Sequence, residues 1–351
     1  MRLTPLCANF YNFCMRRSAL SAFLVVALLM PLAPGRAQQP PAPPAKQEPP
    51  TIRTGVDLVN VVFSVLNRRE KFVTDLDKTN FRVFEDGREQ KVDFFSRETD
   101  LPLRIGLLLD TSGSIRDRLK FEQEAATDFL YLVIRRGKDQ AFLMIFDNEP
   151  GFIEDFTDDL NKLTDTIRRQ RAGGGTALYD AIYEASLDKL FRAPLPEGPN
   201  KEVRRILVVI SDGRDNLSDR TRSEAIEMAQ RAEVTVYTIS TSTDWISLSG
   251  TSPKKYHKDE GDKVLEAIAA QTGGRAFFPY RVDDLGRSFQ DIGDELRSQY
   301  SVAYVPSNRA LDGKFRNIKV EVDRKGLNVR ARKGYFAPRA TAAATATAPG
   351  N

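Results

Sequence analysis

The spacing of apolar and polar positions changes along the chain, and each regime predicts a different kind of element. Between residues 56 and 100 the apolar positions fall in short runs, Val56–Leu66, Phe81–Phe84 and Val92–Phe95. Glu85-Asp86-Gly87 separates the last two as a turn signal, so this region predicts strands. From residue 103 to 298, short apolar runs alternate with longer amphipathic stretches. Leu103–Leu109 is almost unbroken in its apolar character, as in a strand covered on both faces. The stretch that follows sets Phe121, Ala125, Phe129 and Leu132 on one helical stripe. Further strands are predicted at Ala141–Phe146, Arg205–Ile210, Val234–Ile239 and Ala276–Phe278, with Phe152–Phe156 as a short antiparallel edge. Helices fit Asp158–Arg169, Ala177–Leu190, Ser223–Ala232, Lys263–Thr272 and Val282–Ser298. Repeated strand–helix–strand units predict an α/β fold, a mostly parallel central sheet with helices on both faces. Residues 300–336 return to β character at Tyr300–Val305, Phe315–Val322 and Leu327–Arg332, with turns at Asp312-Gly313 and Lys325-Gly326. Each β-rich flank has about forty residues, too few to be comfortable alone. The expectation is that 56–100 and 300–336 pair as one β-sandwich-like unit, interrupted by an α/β domain over 103–298.

The chain ends read differently. Arg16 and Arg17 precede an apolar run from Ala19 to Leu32, and the small residues Ala33, Gly35 and Ala37 follow. That is the order of a secretory signal peptide over 1–37, cleaved after Ala37; the apolar run is short for a span of ~20 residues. Residues 38–55 form a Pro- and Gln-rich linker, and 337–351 an Ala/Thr tail expected to be disordered. Cys7 and Cys14 both lie in the signal segment, so the exported chain would hold no disulfide. The expected location is periplasmic or extracellular, without a transmembrane helix in the mature chain.

Composition narrows the function classes. At 351 residues, 41% hydrophobic and 28% charged, the chain is neither fibrous nor wholly disordered. The formal charge of +4 comes entirely from Arg2, Arg16, Arg17 and Arg36 in the signal segment. The remainder is balanced, so net charge offers no footprint for nucleic acid.

In an open α/β sheet, ligands bind outside the carboxyl ends of the strands. The first core strand runs into Asp110-Thr111-Ser112-Gly113-Ser114, and Ile206–Ile210 runs into Ser211-Asp212-Gly213. The loop Gly173-Gly174-Gly175-Thr176 precedes a helix, and Asp147 ends the second core strand as a more peripheral candidate. Taken singly, Ser114 or Thr176 reads equally as a helix cap, and Asp212-Gly213 as an ordinary turn. Taken in order, Asp110, Ser112, Ser114, Thr176 and Asp212 converge on one edge. This all-oxygen set suits a hard cation, Mg²⁺ first, with Mn²⁺ or Ca²⁺ as alternatives, rather than zinc or copper.

At these residues the sequence resembles a von Willebrand factor type A (VWA) domain, a Rossmann-like fold. The D-x-S-x-S run of Asp110, Ser112 and Ser114, then Thr176 and Asp212, match the order and rough spacing of that family's metal-ion-dependent adhesion site (MIDAS). The resemblance implies Ser112, Ser114 and Thr176 as ligands, with Asp110 and Asp212 binding directly or through water. The flanking Phe81–Gly87 and Arg332-Lys333-Gly334-Tyr335 resemble an exported family of VWFA-related proteins best known from acidobacteria. The implied function is a metal-dependent protein-binding module whose ion takes an Asp or Glu of a protein partner.

Two other classes compete. A metal-independent scaffold in an envelope complex would bind equally well without the ion. A hydrolase would need a base, and the one histidine, His257, sits with Trp245 in a polar insertion over 241–260. No G-x-S-x-G elbow, P-loop lysine or G-x-G-x-x-G is present in the expected context, so catalysis is not expected. Metal-bound water as a nucleophile is the remaining enzymatic alternative.

Overall fold

The computed structural model describes residues 58–97, 101–194, 203–242, 258–279 and 282–339, without the side chains of Phe121, Val282, Asp283 and Leu285. The expected signal peptide, the whole 38–55 linker, most of the tail, Trp245 and His257 lie outside the described residues. Among the described residues no helix is long and apolar enough to cross a membrane.

The chain begins with β1 (Val59–Asn67), β2 (Phe81–Glu85), β3 (Arg88–Gln90) and β4 (Val92–Arg97). It then enters an alternating series: β5 (Leu103–Asp110), α1 (Leu119–Val133), β6 (Gln140–Phe146), β7 (Pro150–Thr157), α2 (Leu160–Arg168) and α3 (Leu178–Glu184). The series continues with β8 (Arg204–Ser211), α4 (Arg222–Arg231), β9 (Val234–Ser240), α5 (Glu260–Thr272), β10 (Ala276–Phe277) and α6 (Val282–Arg297). It closes with β11 (Tyr300–Tyr304), β12 (Phe315–Val322), β13 (Leu327–Ala331) and β14 (Gly334–Phe336).

The central sheet has the order β10-β9-β8-β5-β6-β7, parallel throughout except for β7, which runs antiparallel to β6 at the edge. Both faces are covered, which is why β5 is almost wholly apolar. Alternate residues of β5 enter opposite cores. Ile105, Leu107 and Leu109 pack with Phe129 of α1, Leu163 of α2 and Ile292 of α6. Leu108 packs on the other face with Ala181 of α3, Ala229 of α4 and Ile268 of α5. The fold is the expected α/β class.

Two local expectations change. On α1, Leu132 is 40% exposed, while Ala126, Phe129, Leu130 and Val133 face the core. The expected stripe had therefore drifted off the buried face by its last member. The single helix expected over 177–190 is α3 followed by a π-helical segment, Ala185–Phe191. The wider turn retains Leu190 in the core and leaves Phe191 exposed.

The two β-rich regions interleave. One antiparallel sheet has the order β13-β1-β11-β4 and the other β14-β12-β2-β3. Their inner faces share one core that includes Val61, Phe63, Phe81, Val83, Val302 and Val320. Phe63, Phe81, Phe95 and Tyr300 form an aromatic cluster with ring centroids 5.0–5.8 Å apart. Between α6 and this core, the fully buried Glu295 accepts from Ser64 Oγ at 2.8 Å and pairs with Arg330 at 2.8 and 2.9 Å.

Candidate functional site

The site begins with strand order. Because β8 lies beside β5 in parallel, with Leu109 opposite Ile210, their carboxyl ends finish level. Asp110, the last residue of β5, is fully buried. One of its oxygens accepts from Ser112 N at 2.9 Å, and the other from Ser211 Oγ at 2.6 Å. A single 3₁₀ turn, Gly113–Ile115, then lifts the chain towards α1 and exposes Ser114. Ser112 Oγ and Ser114 Oγ lie 2.9 Å apart, and Ser114 Oγ donates to Asp212 Oδ2 at 3.1 Å. The other Asp212 oxygen accepts from Arg214 N at 3.0 Å.

Asp212 is held by a close backbone approach. Gly213 has φ +75°, and a Cβ there would meet Gly261 O at 2.3 Å. A side chain at this position would clash with backbone, so glycine lets the turn seat against the start of α5.

The third segment is the loop before α3. Gly113 N donates to Gly174 O at 3.1 Å, and Gly173 N donates to Thr111 O at 2.8 Å. These bonds lay the loop against the Asp110–Ser114 turn. Thr176 is 4% exposed, and its backbone is clamped by Asn216: Thr176 N donates to Asn216 Oδ1 at 2.8 Å, and Asn216 N donates to Thr176 O at 3.0 Å. The Thr176 hydroxyl makes no hydrogen bond among the described residues.

Asp110, Ser112, Ser114 and Asp212 thus form one hydrogen-bonded group, with Thr176 on the adjoining loop. Asp147 contributes differently: its carbonyl accepts from Ala177 N at 2.9 Å, which anchors the start of α3. Asn148 and Asn216 carry no motif signal, yet Asn148 Oδ1 accepts from Gly175 N at 2.8 Å and shapes the loop beside Asn216. Glu122 is a further residue that sequence patterning missed. It lies in the first turn of α1, fully buried, and neither carboxylate oxygen has a partner among the described residues.

The electrostatics are one-sided. Among the described residues neither Asp110 nor Asp212 forms an ion pair. Burial pushes the Asp110 carboxyl from 3.8 up to about 6. Hydrogen bonds from Ser211 and Ser112 oppose that rise, and the charge of Asp212 adds to it. Burial also drives Glu122 well above the usual carboxylate range; Asp110 and Asp212 add to the effect and Arg118 opposes it. The donors are therefore hard oxygens in a locally negative setting, which fits a divalent cation of the Mg²⁺ type.

Fold and site together define a class of α/β domain with oxygen donors at the carboxyl edge of its sheet. Residues 105–214, from β5 through Asp212, match the von Willebrand factor type A domain. The chain carries a VWA domain. An uncharacterized protein of Borreliella burgdorferi is 25% identical over 240 residues, which cover 64% of this chain and 62% of the relative. The chain thus spans about 62% of the length of that curated relative.

Solved structures similar to it include a von Willebrand factor type A protein from Catenulispora acidiphila, at TM-score 0.45 and 12% identity, covering 82% of this chain and 75% of that one. An aerotolerance-related membrane protein from Bacteroides fragilis has TM-score 0.42 and 18% identity, covering 55% and 98%. Proximal thread matrix protein 1 from the mussel byssus, with a zinc-occupied MIDAS motif, has TM-score 0.44 and 15% identity, covering 60% and 49%.

Proposed function

We propose that the chain is an exported protein-binding module that recognises a partner's Asp or Glu side chain through a divalent cation, Mg²⁺ by preference. Ser112, Ser114 and Thr176 would hold the ion with their hydroxyls, and Asp110 and Asp212 would bind it directly or through water. When bound, the ion supplies positive charge at the strand-end surface, where a partner's carboxylate can be attracted. The protein's own residues do the rest. Ser211 and Ser112 N orient Asp110, Arg214 N and Ser114 orient Asp212, and Asn216 positions the Thr176 backbone. The carrying observation is the hydrogen-bonded Asp110–Ser112–Ser114–Asp212 group, which buries two carboxylates beside two hydroxyls, with Thr176 on the adjoining loop, without an ion pair among the described residues. Export rests on the signal pattern of residues 1–37.

The test is thermal melting of wild type and Asp110→Ala, each in chelator and in millimolar Mg²⁺. An ion that binds only the folded state stabilises it by RT ln(1 + [L]/Kd), roughly 2.7 kcal/mol at a hundredfold excess over Kd. Wild type should shift and the variant should not. A pull-down from envelope extract should then lose its partner both in chelator and in Asp110→Ala. Equal capture under all conditions would instead establish a metal-independent scaffold.

A further inference from the structure

We propose that the groove between the α/β domain and the interleaved sheets is a second binding site, which takes an amphipathic carboxylate: an apolar chain or ring bearing a single negative head group. It is independent of the cation reading above.

The groove has a volume of about 870 Å³ and lies where the end of the π segment, the end of α4 and the loop after β11 meet β14. Ligand sites fall in the range of roughly 300–1,000 Å³ and concentrate at junctions between domains. This one sits at the amino ends of the central strands. Arg205, near the start of β8, lines it, whereas Asp212 lies beyond the far end of that strand, about 23 Å along it.

The rim is apolar. Of the nine large apolar side chains exposed among the described residues, three border this groove: Leu58 (38%), Phe191 (53%) and Leu311 (50%). Apolar side chains scattered singly over a surface need no explanation, but three gathered around one concavity make an apolar wall.

The charge is one-sided as well. Four arginines and one glutamate line the groove. Arg231 is matched by Glu227 at 2.7 Å and lies over the ring of Phe336. Arg205 and Arg332 share Glu233, at 4.0 and 3.4 Å. Arg332 is nine-tenths buried, and its Nε has no acceptor among the described residues. Glu233 holds its place at φ +54°, in the left-handed region that favours glycine. Strained backbone thus keeps one acid against two guanidiniums, which fixes both side chains and neutralises one charge. Arg309, on the loop after β11, is exposed and forms no ion pair among the described residues. Two positive charges are therefore unmatched beside an apolar wall. That combination selects the ligand, with a carboxylate for the arginines and an apolar body for Phe191 and Leu311. A cationic head group would be repelled, and a small anion would leave the wall in water.

Titration calorimetry of the whole chain in chelator, with dodecanoate held below its micelle concentration, tests the groove without any contribution from a metal. Dodecanoate should bind wild type saturably, with dodecyltrimethylammonium and acetate each at least about ten times weaker. Arg309→Glu and Leu311→Asp, both at exposed positions, should each weaken dodecanoate about tenfold or more, the scale of one lost charged contact. Arg88→Glu makes the same charge change on β3, outside the groove, and should bind like wild type, as should Asp110→Ala. No saturable binding to wild type, equal binding of dodecyltrimethylammonium, or unchanged affinity in Arg309→Glu and Leu311→Asp overturns this proposal and leaves the cation reading intact.

Discussion

Buried carboxylates occur in two settings in this molecule, and they are treated in opposite ways. Where α6 meets the interleaved sheets, Glu295 is fully buried and receives both Arg330 and Ser64. Within those sheets, Glu85 accepts the hydroxyls of Tyr304 at 2.9 Å and Tyr335 at 3.0 Å. At the foot of the central sheet, Asp139 is gripped by Arg135 at 2.7 Å and by Leu103 N at 2.9 Å. These acids close their own circuits and hold elements together. At the carboxyl edge of the same sheet, Asp110 has hydroxyl and amide donors but no cation, and Glu122 has no donor at all among the described residues. Isolated buried charge destabilises a fold, and its concentration on one edge is what the binding role proposed above requires.

The contrast can be broken most severely at its structural end. Removing one member of a buried ion pair strands the other, a change worth about 3 kcal/mol or more. Arg330→Met should therefore lower the urea midpoint substantially while leaving the Mg²⁺ shift of the folded protein in place. A loss of the Mg²⁺ shift in that variant would show that the two settings are not independent.

The opposite sign is expected at the site. Because the folded-state pKa of Asp110 is raised from 3.8 to about 6, its ionisation opposes folding by about 2–3 kcal/mol above pH 6. In chelator, Asp110→Asn should then be more stable than wild type at pH 7.5. The sign follows from linkage. A raised folded pKa contributes stability that is complete below the unfolded value and is lost as pH rises through about 6. The stability gap between the variant and wild type should therefore be near zero at pH 3.8, open between there and 6, and level off above. Urea titrations of both proteins across that range measure it. Mg²⁺ should reverse the order, stabilising wild type alone, and its affinity for wild type should fall as pH drops below 6 and a proton competes at Asp110.

The smallest effect serves as a control. Thr221 caps α4 through a reciprocal pair, with Glu224 N donating to Thr221 Oγ1 and Thr221 N donating to a Glu224 oxygen. Thr221→Ala should cost about 1 kcal/mol. Its Mg²⁺ shift and pH profile should match those of wild type; a change in either would show that the site senses the surface of α4.

Part of this architecture was legible in residue order because it rests on local rules. The nearly unbroken Leu103–Leu109 run read as a strand covered on both faces, and the alternation after it pointed to the α/β class. Short elements were harder to see. β3 and β14 have three residues each, too few for a period to register, and exist because β2 and β12 offer them an edge. The π segment after α3 was hidden because its apolar positions fit an α-helix almost as well. Each candidate donor could be placed at a strand end or in a neighbouring loop. Their grouping required β8 to lie against β5, and sequence carries no direct record of strand order.

Glu122 marks the boundary between the two kinds of information. In sequence it is an acid in the first turn of a helix, where solvated glutamates are common and favourable. By itself the chain determined which segments alternate and which residues could be donors. Only the packing of α1 onto the central sheet decided that this acid would be buried with no hydrogen-bond partner among the described residues, in the field of Asp110 and Asp212. The reason is physical: periodicity reports which face of an element is apolar, whereas the field at a buried atom depends on charges brought near it by distant parts of the chain.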